Sequence, residues 1–154
     1  ATPLQIAEAY SQDRQALYQE LLIPLLQEKK IILQDRGIST SRCYQPLMSA
    51  ELTMEKILSF PGNQLALDHR PDHLVIIDVS AETAVKRLGA RAEKQDQAMF
   101  ERGEFLTKAR ERFVNPAYQS LFTTRGTAVR VLSGEDIIAI MSQKAIALLE
   151  RLIH

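Results

Sequence analysis

Cysteine is nearly absent from the chain. Cys43 stands alone, so no internal disulfide can form, and a reducing setting, the cytoplasm, is the simplest expectation. An excess of either charge is also lacking: 19 basic and 19 acidic side chains give a formal net charge of zero. That balance argues against broad nucleic-acid binding, which needs a basic excess, but does not exclude a local cluster of arginines. No apolar run approaches the roughly 20 residues that span a bilayer, so no membrane association is expected. No secretory leader is visible. His69, His73 and His154 show no metal-ligand spacing with Cys43, which argues against a zinc site. Repeats, low-complexity tracts and linkers are missing too, so residues 1–154 are expected to form a single domain. The first residue is Ala1 rather than Met, which points to a trimmed, processed or partial chain. What is present is ordinary globular material, 45% hydrophobic and 25% charged in 154 residues, enough to bury a core without covalent staples.

Periodicity organises that material. Apolar positions Leu4, Ala7, Leu17, Leu21, Leu22, Leu25 and Leu26 recur at helical spacing, predicting a long helix over 4–29 with Pro3 in its first turn. Pro24 lies inside it and should kink or split it. Three short apolar runs read as buried parallel strands: 31–35, 74–79 and 128–132. Helices are expected around 50–58, ending near Pro61-Gly62, then over 81–92, 100–114 and 136–153. Helices alternating with apolar strands predict an α/β layer fold with a parallel sheet. Ligands of such sheets sit at the carboxyl ends of strands, just after residues 35, 78 and 132.

The segment Asp35-Arg36-Gly37-Ile38-Ser39-Thr40-Ser41-Arg42-Cys43-Tyr44-Gln45 concentrates polar chemistry at one of those ends. A guanidinium there can grip a phosphate bidentately, and the carboxylate beside it can hold magnesium directly or through water. A polar helical turn follows and Pro46 stops it. Thr40 with Tyr44, and Ser41 with Gln45, are four apart and share helix faces. The plainer alternative is a structural Asp35–Arg36 salt bridge with Ser39 as a helix cap. Tyr10 and Arg14 are likewise four apart; one could stack on a flat base while the other hydrogen-bonds its edge, or the pair is a surface contact. The stretch from Val85 to Phe105, with Arg87, Arg91 and Arg102 around a charged loop, reads either as a mobile cover over phosphates or as a solvated face.

These segments, in this order, resemble the thymidylate kinase family. "DRGISTSRCYQ" resembles its Asp-Arg-Tyr motif, and "AYSQDRQALYQELLIPLLQEKKIILQDR" resembles the aromatic-x-x-x-Arg helix leading into it. "RPDHLVIIDVSAETAVKRLGAR" is similar to its Arg-Pro-Asp strand and basic helix. "FERGEFLTKARERF" resembles the stretch after its lid, and "VRVLSGEDI" its last strand. The resemblance covers nearly the whole chain.

It implies a three-layer α/β/α P-loop kinase fold, with a parallel sheet of order 2-3-1-4-5 whose first strands are missing here, and a lid at about 93–104. It implies transfer of the ATP γ-phosphoryl group to dTMP, with Mg2+, in a cytoplasmic homodimer. Asp35, Arg36 and Arg91 would then be catalytic, with Asp35 also near the metal. Tyr10 would stack on thymine and Arg14 would hydrogen-bond the base edge. Arg36, Thr40, Ser41, Tyr44, Gln45 and Phe100 would complete the acceptor site. Arg87, Ser133 and Gly134 would meet ATP. Departures are Gly37 in place of an aromatic, a lid short of arginine, and Pro46-Leu47 in place of a Gly-rich continuation. They leave open a kinase for another deoxynucleotide or nucleoside.

No G-x-x-x-x-G-K-[ST] occurs in the 154 residues. By resemblance that loop would lie roughly 60 to 70 residues before Tyr10 and cradle the ATP phosphates. The expectation is an unseen N-terminal portion that carries it, since losing a central strand leaves unpaired backbone groups at about 1–3 kcal/mol each. The alternative is a non-catalytic nucleotide-binding module.

Overall fold

A computed structural model describes residues 1–89 and 103–153. The chain divides into two compact units, Ala1–Arg70 and Pro71–His154.

The first unit is helical. Helix α1 (Pro3–Leu17) begins with a reciprocal cap: Thr2 Oγ1 accepts from Gln5 N–H at 3.2 Å, and Gln5 Oε1 accepts from Thr2 N–H at 2.8 Å. The break expected at Pro24 takes a specific form. Residues Tyr18–Leu22 make one π-helical turn, in which Ile23 N–H reaches back to the Tyr18 carbonyl, and α2 (Ile23–Gln27) then resumes. Proline has no N–H to donate, so a wider turn before it absorbs the missing rung. Lys29, in the left-handed region at φ 58°, ends the helix.

Residues 31–34 form no strand, contrary to expectation, and Ile31 and Leu33 are 70% and 78% exposed. An apolar run supplies strand propensity, but a strand exists only against a hydrogen-bonding neighbour, and none pairs with it among the described residues. Helix α3 (Ile38–Met48) runs through Pro46, which was expected to stop it. Near the helix end Pro46 removes only a single rung, and the helix closes two residues later. The helix expected at 50–58 is shorter, α4 (Met54–Ser59), capped by Thr53 Oγ1. Pro61-Gly62 does not end the helical region. Pro61 is the first residue of α5 (Pro61–Asp68).

Ala7, Leu52 and Ile57 form the core of this unit, with Leu4 and Phe60 packed against them. Gly62 is where α5 meets α1: a Cβ there would lie 1.8 Å from the Ser11 carbonyl oxygen, so only glycine allows the approach.

The second unit contains the sheet. Strands β1 (His73–Asp78) and β2 (Ala128–Ser133) pair in parallel, from His73 opposite Ala128 to Asp78 opposite Ser133. Around them are α6 (Ala81–Gly89), α7 (Gly103–Val114), α8 (Pro116–Thr123) and α9 (Ile138–Ile153). Helix α8 was not anticipated, although Asn115 caps it and Pro116 opens it. A parallel pair flanked by helices is the α/β arrangement expected, with fewer strands than the full sheet. The strands are less buried than their composition suggested: only Ile76 is buried in β1 and nothing in β2. A two-stranded sheet offers too little surface to cover both faces of its own side chains. No described helix is long and apolar enough to cross a membrane.

Candidate functional site

In the first unit the site is built around Arg14. It is 9% exposed on α1, an uncommon position for a cation. Its Nη1 donates to Asn63 Oδ1 on α5, and its Nη2 donates to Ser41 Oγ on α3 at 2.9 Å. Three helices therefore meet at one guanidinium. Burial lowers its pKa from the ordinary arginine value, and the Tyr18 phenol and the Asp13 carboxylate oppose this more weakly. Burial in turn pushes the Tyr18 phenol up. Both hydrogen-bond partners are neutral, so neither cancels the positive charge, although the Asp13 carboxylate offsets part of it through space. A guanidinium has five N–H donors, and the protein uses two of them here. The remaining donors suit an acceptor such as a ring carbonyl.

Tyr10, one turn earlier on α1, is 55% exposed. It stands open to solvent beside the buried Arg14, available to stack on a flat ring.

Ser41 links Arg14 to the polar segment. Asp35 and Arg36 are exposed, and Arg36 has left-handed backbone at φ 63°, a conformation that costs a non-glycine residue roughly 1–3 kcal/mol and concentrates at functional sites. Gly37 caps α3 with extended backbone, and its carbonyl accepts from Thr40 and Ser41 N–H groups. Glycine is not required there, because an added Cβ would meet only the Gln34 amide at 3.7 Å or more. Thr40 and Tyr44 are half-buried, whereas Ser41 and Gln45 are buried. Burial raises the Tyr44 phenol pKa, and the nearby Arg36 charge pulls it back. Gln45 Oε1 is buried without a hydrogen-bond partner, a cost of about 1–3 kcal/mol that the rest of the site must offset.

In the second unit the carboxyl ends of the strands are occupied by protein groups. Asp78 accepts a bidentate pair from Arg110 on α7, Nε at 2.6 Å and Nη2 at 3.0 Å. The hydrogen bonds from Arg110 hold the Asp78 carboxyl below its usual range. Gly134 N–H donates to the Asp78 carbonyl at 2.6 Å. Glu135 accepts from Ser80 N–H at 2.5 Å and from Thr83 Oγ1 at 2.7 Å, bonds that hold its carboxyl below the ordinary value. An open recess of about 490 Å³ between β2 and α9 is lined by apolar residues with Arg130, Lys144 and Arg151. None of the residues singled out in the sequence lines it.

The thymidylate kinase family model matches residues 1–130. The chain belongs to the thymidylate kinase family. It is 33% identical over 106 residues to a thymidylate kinase of Thermoanaerobacter sp. strain X514, covering 68% of this chain and 50% of that protein. It is 32% identical over 108 residues to one from Mycoplasmopsis pulmonis, covering 70% of this chain and 45% of that protein. Against one from Bartonella henselae the figures are 28% over 130 residues, 81% and 56%. The chain spans about half the length of the curated relatives it matches.

Within this thymidylate kinase-family chain the expected site residues fall into three groups. Tyr10, Arg14, Asp35, Arg36, Thr40, Ser41, Tyr44 and Gln45 all lie in the first unit, where Arg14 and Ser41 are hydrogen-bonded to each other. Arg87, Ser133 and Gly134 lie in the second, where Arg87 is already engaged: it donates to the carbonyls of Gly134 (2.7 Å), Glu135 (3.3 Å) and Asp136 (2.9 Å). Arg87 thus holds the turn after β2. Arg91, Phe100 and the lid expected at 93–104, up to residue 102, lie outside the described residues. Asn63 was missed. Its signal was Pro61-Gly62, which marks a helix start as readily as a stop.

Proposed function

We propose that these residues form the acceptor site of a nucleotide kinase that moves the γ-phosphoryl group of ATP to dTMP, giving dTDP. The observation that carries this reading is the buried Arg14 guanidinium. Its hydrogen-bond partners are neutral, it has donors beyond the two they engage, and Ser41 ties it to the helix that follows Asp35-Arg36. A thymine ring over Tyr10 would present a carbonyl to Arg14. The monophosphate would then meet Arg36, and Tyr44 would lie under the sugar.

Transfer needs a phosphate loop from outside these 154 residues, because none of them can supply its backbone cradle and lysine. Magnesium would neutralise charge on the phosphates; it needs only one or two carboxylates besides phosphate and water oxygens, and exposed Asp35 fits that requirement. The same reading makes residues 1–154 part of one kinase domain, cytoplasmic and homodimeric.

The test is a panel of nucleoside monophosphates assayed with the full-length protein by coupled ADP release. dTMP is expected to be the best acceptor. A rank among the poorest acceptors overturns the reading.

A further inference from the structure

We propose that Asn63 is a positioning residue that aims the Arg14 guanidinium at the base of the acceptor nucleotide; this rests on the acceptor-site reading above. Asn63 is fully buried. A guanidinium can only donate, so the Asn63 carbonyl oxygen must face Arg14, and the amide nitrogen then faces away. That nitrogen donates to the Ile57 carbonyl at 2.6 Å. Ile57 is itself fully buried, packed with Ala7 and Leu52. The amide is therefore fixed at both ends, one on the core backbone and one on the arginine.

The surrounding geometry serves the same contact. Gly62 lets α5 press onto α1, and its N–H donates to Ser11 Oγ at 3.0 Å. The next residue in sequence is Asn63, which this approach delivers beneath Arg14. Ser41 holds the other arm of the fork at 2.9 Å. With both terminal nitrogens held, the guanidinium plane is set, and the direction of its spare donors is set with it.

The residue type is informative. A carboxylate at this place would make a stronger bond to arginine. It would also neutralise the cation and weaken its pull on a ligand carbonyl. A neutral amide orients the guanidinium while leaving its charge available. A leucine of similar size would fill the space and leave Nη1 without its buried partner.

A double-mutant cycle on dTMP affinity, measured by calorimetry with the full chain, separates positioning from mere support of the fold. Asn63→Leu is expected to weaken dTMP binding about tenfold, the loss of one oriented charged hydrogen bond. The double variant Asn63→Leu/Arg14→Ala should bind no more weakly than Arg14→Ala alone, because Asn63 acts only through Arg14. Additive losses, or unchanged affinity in Asn63→Leu, overturn the inference and leave the acceptor-site reading standing. Failure of the unsubstituted chain to bind dTMP overturns both. Asn63→Asp keeps the acceptor atom and the volume, and so guards against a leucine variant that does not fold. It loses the hydrogen bond to the Ile57 carbonyl and gains a charged bond to Arg14, so it should melt somewhat lower than the unsubstituted protein but still cooperatively, and bind dTMP more weakly; equal or tighter binding overturns the inference.

Discussion

The two units place their polar side chains differently. In Ala1–Arg70 a small apolar core carries a polar cluster whose members are all within the unit: Arg14, Ser41 and Asn63 are buried and bonded to one another. In Pro71–His154 the polar groups pair near the surface, as Asp78 does with Arg110, and large apolar side chains of β1, β2 and α9 stay exposed beside the buried Phe105, Ala109, Tyr118 and Phe122. Ile77, Val131, Ile138 and Ile146 are 54%, 52%, 80% and 56% exposed. Secondary structure alone does not bury its own apolar face; a layer has to cover it. The first unit has that cover where its candidate site lies, and the second has, among the described residues, a sheet of only two strands.

The contrast can be broken most directly with matched isoleucines. Ile57→Ala, in the fully buried core of the first unit, is expected to cost about 3 kcal/mol by urea unfolding. Ile138→Ala, at a site 80% exposed, should cost no more than about 0.5 kcal/mol. Equal costs would mean that Ile138 is packed in a way its exposure does not show.

Glycines sharpen it next. Gly62→Ala forces a methyl group into the Ser11 backbone and should cost about 3 kcal/mol. Gly134→Ala would bring a methyl to 2.9 Å from Ile77 Cγ2 and 3.0 Å from the Asp78 carbonyl oxygen, a milder conflict of about 1 kcal/mol. Urea midpoints of the two variants check the order.

The smallest effect belongs to the exposed pair. Arg110 depresses the native pKa of Asp78, so the pair stabilises the folded state above the unfolded carboxylate value, about 4. That contribution is lost as pH falls through the depressed native value. Asp78→Asn should therefore lower the melting temperature slightly at pH 7, and the difference should vanish in acid. A difference that grows in acid would contradict the pairing.

Much of this organisation was legible in the sequence, for identifiable reasons. The parallel strands came from β-branched runs bounded by polar residues, and both fall within a residue of their expected limits. That Ser41 and Gln45 share a helix face followed from their spacing; that the face is buried did not. Three features were not legible. A strand at 31–35 has the right composition, but strandedness depends on a neighbour that local sequence does not name. Proline marks both the starts and the ends of helices, so α5, and with it Asn63, was hidden behind Pro61. Burial of Arg14 is a tertiary fact: the same Tyr10/Arg14 spacing would fit a wholly solvated helix face.

The central claim is that Arg14 and Arg36 serve one bound nucleotide, the first at its base and the second at its phosphate. Calorimetric titration of dTMP into the full-length protein and into an Arg36→Ala variant tests it most directly. A loss of affinity of about tenfold or more in the variant, the scale of one charged hydrogen bond, is the predicted result. Equal affinity in the two proteins would contradict the claim.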